Sequence, residues 1–294
     1  MRQIITSMKY IISYVIYLIV KIFYLEKILV KIFNKNHSMV AFSKRTFGNY
    51  LVVKIFFIYY EMLYRLGDKK LNRFIKICYL ANTNNGLDIA KYYFQKKREI
   101  VNNLKFSSLT KEFIWFKKNI KQILKKKNNK VCIIQIGSGS GSDLEIMHKI
   151  EPNVKYISTD ISKEIINFQK TKYKNLNFDY YVSNAMNLKK ILNKKIYKNF
   201  YKIIFSNGSL QYLPPNSTLE MLNKLKDINN ISFLIAYLNT NSFYNSNEIY
   251  DFRDNFSFQY KYEKILTKFN FKILYQSKKK IKNSYYFLKY FEKL

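Results

Sequence analysis

The chain has 294 residues, 48% of them apolar, enough to bury one large domain or a domain plus an accessory segment. Its formal charge of +33 invites a nucleic-acid reading. However, only Arg2, Arg45, Arg65, Arg73, Arg98 and Arg253 among the 52 basic residues are Arg, and a dedicated phosphate or guanine site favours the planar Arg fork. The many Lys, Asn, Ile, Tyr and Phe residues share AT-rich codons, so base composition accounts for much of the charge. The positive surface still attracts anionic lipid, nucleic acid or acidic sugars without specificity. Cys78 and Cys132 have no metal or redox spacing and read as free thiols of a reducing compartment, and His37 and His148 are far apart; no metal site is expected.

Residues 1–116 alternate apolar and Lys-rich stretches at helical spacing, with almost no Gly or Pro, and read as a helical N-terminal segment. Ile12, Ile16, Ile19 and Phe23 fall on one helical face, and Lys27, Lys31 and Lys35 form a polar stripe. The uncharged run from Tyr10 to Val20 has 11 residues, well short of the ~20 a spanning helix needs, and no small-residue cleavage site follows. Two roles fit: a helical cap on the protein, or a basic helix lying on an anionic membrane. Leu51 to Leu63 is a second apolar stretch open to the same two readings, and Asn82-Thr83-Asn84-Asn85-Gly86 reads as a loop.

From about Lys117 strands and helices alternate. Helices are expected at Phe113–Lys127, Ser142–Ile150, from a Ser162 cap to Lys172, from Pro214-Pro215 to Asp227, and at Tyr260–Phe269. Strands are expected at Val131–Ile136, Val154–Thr159, Phe178–Val182, Lys202–Ser206 and Ile231–Leu238. A final pair, Phe271–Gln276 and Tyr285–Lys289, turns around Lys278-Lys279-Lys280. Asn239 to Phe258 reads as a long loop, either a flap over substrate or a surface excursion. The alternation gives an α/β, doubly wound, mostly parallel sheet over 117–294. The last pair has no room for a crossover helix and must be antiparallel.

Four segments fall at strand ends, where ligands of such sheets sit. The first is Gly137-Ser138-Gly139-Ser140-Gly141, leading into a helix whose N-terminus offers free N–H groups. The second is Asp160, 19 residues after Gly141, a carboxylate placed to accept from ribose hydroxyls, with Ile161 behind it. The third is Ser183-Asn184-Ala185-Met186, and the fourth Ser206-Asn207-Gly208. Dinucleotide binders use G-x-G-x-x-G; here the third such position is Ser142, and the G-x-G-x-G spacing suits a ligand without a pyrophosphate.

On IIQIGSGSG, YISTDIS, VSNAM and YKIIFSNGSLQYLPP, residues 117–294 resemble the class I S-adenosylmethionine-dependent methyltransferases. The resemblance implies a seven-stranded Rossmann-like sheet with its last strand antiparallel. It implies that Gly137, Ser138, Gly139 and Gly141 flank the methionine part of the cofactor and that Asp160 and Ile161 border the ribose. Asn184 and Ala185 would border adenine, and Ser206 and Asn207 the sulfonium region. Gln135 stands where the family often has Asp or Glu; its amide oxygen can accept from the cofactor's amino group or from a bridging water, without charge assistance. Lys202 replaces a common Asp at a structural position.

The sequence names no catalytic base; Gln211 and Tyr212 lie near the methyl group by resemblance, but either one can simply shape the pocket. Amino-methyltransferases of adenine and cytosine carry Asn/Asp-Pro-Pro-aromatic, and Leu213-Pro214-Pro215-Asn216 lacks both flanks. The expected acceptor is therefore a small molecule or sugar hydroxyl, with a glycan as its larger form. RNA methylation, or a non-catalytic membrane-associated protein that keeps the fold, are the alternatives. The expected location is cytoplasmic, with peripheral contact at the inner face of the membrane.

Overall fold

The computed structural model describes residues 2–25, 90–128, 130–253 and 257–293, with residues 28, 55, 58, 59, 62, 63 and 87 between them. The chain divides into two compact units, one spanning 1–89 and the other Ala90–Arg253 with Ser257–Leu294.

In the first unit, helix α1 (Arg2–Ile22) buries Tyr17 and Val20, and Tyr17 stacks on Tyr59 at 5.6 Å between ring centroids. Of the apolar face formed by Ile12, Ile16, Ile19 and Phe23, Ile16 is half-buried and the other three are exposed. No helix among the described residues is long and apolar enough to cross a membrane. The Lys27, Lys31 and Lys35 stripe, most of Leu51–Leu63 and the Asn82–Gly86 segment lie outside the described residues.

The second unit opens with helix α2 over 90–103 and helix α3 (Lys111–Lys126). Phe113, Phe116, Ile120 and Leu124 recur every three or four positions along α3 and join the core that includes Ile133, Leu144 and Phe205. There follow β1 (Val131–Ile136), α4 (Ser142–Ile150), β2 (Lys155–Asp160), α5 (Lys163–Lys172) and β3 (Phe178–Val182). Next come α6 (Leu188–Leu192), β4 (Tyr201–Asn207), α7 (Pro215–Leu225), β5 (Ile231–Thr240) and α8 (Asn241–Tyr244). The chain continues through β6 (Tyr250–Arg253), β7 (Ser257–Tyr260), α9 (Tyr262–Thr267), β8 (Phe271–Ile281) and β9 (Ser284–Lys293).

Seven strands form one sheet in the order β3-β2-β1-β4-β5-β9-β8, and β6-β7 pair separately. The five strands from β3 to β5 are parallel, while β9 runs antiparallel to both β5 and β8. This is the doubly wound sheet with a reversed last strand. β1 is buried along its whole length at the centre, as its run VCIIQI requires of a strand covered on both faces.

Two expectations are corrected. The stretch from Asn239 to Phe258 is not a plain loop: it holds the end of β5, α8 and the β6–β7 hairpin. Thr240 Oγ1 accepts from Phe243 N and so starts α8, and Phe252 pairs with Phe258 across the hairpin. Alternation in Tyr-Asp-Phe-Arg and Ser-Phe-Gln-Tyr is too short to stand out from loop polarity. The final hairpin turns at Lys282-Asn283, and Lys278 to Lys280 lie inside β8. β8 is an edge strand, where exposed lysines are tolerated and discourage pairing with other chains.

Candidate active site

The site grows from the strand-to-helix turn after β1. Gly137, Gly139 and Gly141 all have left-handed φ values, +59, +54 and +74°. Such angles crowd any side chain. At Gly137 a Cβ would also meet Ser209 Oγ at 2.6 Å, so the turn is pressed against the segment after β4. At Gly139 a Cβ would meet nothing within 4 Å. That glycine faces open space, as a backbone held ready for close approach of a ligand does.

Asp160 ends β2 beside this turn. Its Oδ2 accepts from Gly139 N and its Oδ1 from Ser162 N, both at 3.0 Å. Ser162, not Asp160, caps α5, with its Oγ accepting from Ile165 N. Beyond these backbone N–H groups the carboxylate keeps acceptor capacity for a hydroxyl donor. Burial pushes the Asp160 carboxyl upward, and backbone N–H groups of Ser162, Gly139 and Ile161 pull against that rise.

Beneath the turn, Ser138 is turned away from the open side. Its Oγ accepts from Ser158 Oγ at 2.7 Å and from Gln169 Nε2 at 2.8 Å, so its side chain fixes the loop. Gln169 Nε2 also donates to Gly139 O at 2.7 Å. Sequence reasoning missed Gln169; a fully buried Gln on an otherwise Lys-rich helix carries no signal until its partner is seen.

The next strand ends bring the remaining residues. Asn184 Oδ1 accepts from Met186 N at 2.9 Å, capping a 3₁₀ turn that buries Ala185. Ser206 Oγ accepts from Leu210 N at 3.2 Å and so shapes the turn after β4. Lys202 is buried at the start of β4 and donates to Phe200 O at 2.8 Å.

A second polar group lies on the other side of the turn. Gln135 donates from Nε2 to Asp143 Oδ2 at 3.1 Å, and Asn207 Nδ2 donates to the same oxygen at 3.2 Å. Lys97 pairs with Asp143 Oδ1. Asn207 Nδ2 also lies 3.3 Å from Glu112 Oε1, and Tyr286 OH donates to Glu112 Oε2 at 2.6 Å. Burial and the Glu112 carboxylate push the Tyr286 hydroxyl far above its ordinary range. Gln135 is 2% exposed, yet its Oε1 has no partner. Lys97, Glu112, Asp143 and Tyr286 were not foreseen, because they come from four separate elements.

The open space at Gly139 and the orphaned acceptor at Gln135 fit a ligand with a polar, amine-bearing end at the turn. The paired carboxylate of Asp160 fits a diol. The methyltransferase domain family matches residues 125–284, more than half of the chain. No curated protein matches the chain. Among solved structures, a methyltransferase from Clostridium acetobutylicum is 14% identical, with 68% of this chain and 98% of that one covered and a TM-score of 0.46. Magnesium protoporphyrin IX methyltransferase from Synechocystis is 13% identical over 69% and 84%, with a TM-score of 0.44. A TehB-like methyltransferase from Corynebacterium glutamicum is 12% identical over 70% and 98%, with a TM-score of 0.43. The assignment rests on the family match and not on these likenesses: the chain belongs to the S-adenosylmethionine-dependent methyltransferases.

Proposed function

We propose that the chain transfers a methyl group to a hydroxyl of a small molecule or sugar, with the cofactor seated between the glycine turn and Asp160. When bound, S-adenosylmethionine supplies a methyl group already activated by a positive sulfur. The protein's work is then to bind, orient and exclude water. In this reading the backbone of Gly137, Ser138, Gly139 and Gly141 follows the amino-acid tail, and Asp160 with Ile161 holds the ribose. Asn184 and Ala185 border the adenine, Ser206 and Asn207 the sulfur, and Gln135 Oε1 accepts from the amino group.

The observation that carries the acceptor class is the hairpin beyond β5. Tyr260 OH donates to Leu213 O, Asn239 Nδ2 donates to Tyr260 O at 3.0 Å, and Thr240 N donates to Gln259 Oε1 at 2.7 Å. These bonds fix β7 to the segment after β4 and to the end of β5. In this reading the fixed hairpin borders the acceptor, and such a border suits a ring-sized acceptor better than an extended polymer.

Residues before the methyltransferase region serve, in this reading, as a helical cap or a membrane-surface segment. Ile11, Ile12, Val15, Ile19, Ile22 and Phe23 of α1 and its end are exposed, which supports the surface role. Helix α2 groups with the second unit, which supports a boundary near residue 90 and upstream of 116.

The test is calorimetry with S-adenosylmethionine, then radiolabelled methyl transfer to sugar-hydroxyl acceptors and to RNA in parallel. Label on sugars supports the proposal. Label on RNA alone overturns the acceptor class, and cofactor binding without label on any acceptor points to a non-catalytic protein.

A further inference from the structure

The polar group around Asp143 holds two carboxylates, Glu112 and Asp143, bridged by Asn207 Nδ2, and one ammonium, Lys97, paired with Asp143. Its acceptor Gln135 Oε1 is buried and unsatisfied. A buried acceptor without a donor costs free energy, and so does an unpaired buried charge. The arrangement therefore lacks one donor. An amino-acid tail brings it in its ammonium, together with a carboxylate that needs a cation.

We propose that Lys97 binds the carboxylate of the cofactor's amino-acid tail, while Asp143 and Gln135 Oε1 take its ammonium. This rests on the reading above that S-adenosylmethionine sits at the glycine turn. It assigns a cofactor contact to α2, upstream of the residues that the family match covers. Without ligand, Lys97 and Asp143 neutralise each other. A zwitterion enters by ion-pair exchange, so that each buried charge keeps an opposite neighbour throughout.

The two partners are suited to different parts of that exchange. Asp143 is held by Gln135 and Asn207 at the N-terminal turn of α4, where a carboxylate is favoured. It stays in place. Lys97 has a flexible four-carbon stem and a side chain 21% exposed, against 8% for Asp143, so its ammonium can swing. Burial works most strongly against its charge, but the charge and hydrogen bond of Asp143, together with Glu112 and Tyr93, raise the pKa of Lys97.

Two nucleosides separate this role from general support of the fold. S-adenosylhomocysteine carries the amino-acid tail; 5′-methylthioadenosine has the same adenine, ribose and sulfur without it. Calorimetry on the full chain should show Lys97→Met weakening S-adenosylhomocysteine about tenfold or more, the range for a charged hydrogen bond. Binding of 5′-methylthioadenosine should stay within about twofold of the parent. Lys97→Arg should recover part of the loss. If Lys97→Met fails to fold, Lys97→Gln keeps a donor for Asp143 and gives the same comparison. Equal weakening of both nucleosides, or no weakening of S-adenosylhomocysteine, would overturn the proposal and leave the cofactor reading standing. An unmodified chain that binds neither nucleoside would overturn both.

Discussion

Gly139 donates its backbone N–H to the Asp160 carboxylate at 3.0 Å, tying the turn after β1 to the tip of β2. One side chain thus sets the loop and presents oxygen lone pairs beside the open space that Gly139 leaves.

Asp160→Ala removes both tasks. Cofactor binding should weaken by about 1–3 kcal/mol, the range for losing hydrogen bonds to a charged group. Calorimetry with S-adenosylhomocysteine checks it; unchanged affinity would mean that the cofactor lies elsewhere. Because burial raises the Asp160 carboxyl, affinity should also fall on acidification from above the ordinary value of 3.8, as the carboxylate gains a proton and loses acceptor capacity.

Gly139→Val should weaken binding more than Asp160→Ala. A valine there meets no protein atom at its Cβ, but it must adopt a φ near +54° and fill the open space. The conformational cost alone is about 1–2 kcal/mol of stability. Thermal melts with and without ligand separate the two effects: the ligand-induced rise in Tm should vanish even where the folded state survives.

His148 should make the fold sensitive to mild acid. Its ring packs edge-on against Tyr156 and Phe178, at 5.6 and 5.4 Å, and its Nδ1 is buried without a partner. Burial lowers its pKa below the ordinary 6.5. The folded state then resists a proton that the unfolded state accepts. Stability is full above 6.5 and is lost as pH falls through that value toward the folded pKa. Denaturant midpoints between about pH 7.5 and 5 should drop for the parent and drop less for His148→Phe, which keeps the ring contacts. Parallel curves would remove His148 as the cause.

Removal of residues 1–36 should leave nucleoside binding intact, since every proposed contact lies at Lys97 or later. Any membrane association of the full chain should weaken at high salt and disappear with this deletion, as expected for basic attachment to anionic lipid. Protein that resists both high salt and carbonate, and leaves the membrane only with detergent, would point to a spanning anchor.

The sheet was legible because its information is local. VCIIQI, YISTD and FDYYV are apolar runs bounded by turn residues, and each became a strand within a residue or two of its expected limits. The places of Gly137, Gly139 and Gly141 in the turn after β1, and of Asp160 at the tip of β2, were legible from strand-turn-helix context. The hairpin β6–β7 was hidden because four-residue strands leave too short a pattern. The burial of Tyr17 on α1 was not legible because Tyr59 stacks on it from another part of the chain. The Lys97–Asp143–Glu112 group was invisible for the same reason: nothing at position 97 says that a carboxylate at 143 will stand beside it.

The place of β9 between β5 and β8 has a consequence for synthesis. The first five strands can pair in the order in which they emerge, but β5 then presents a bare edge ten residues long, from Ile231 to Thr240. The strand that covers it is made only after α8, the small hairpin, α9 and β8. During that interval a nascent chain carries an apolar ledge open to any extended segment nearby. A chaperone that shields such ledges should therefore raise the yield of folded protein most when translation is slowed between β5 and β9.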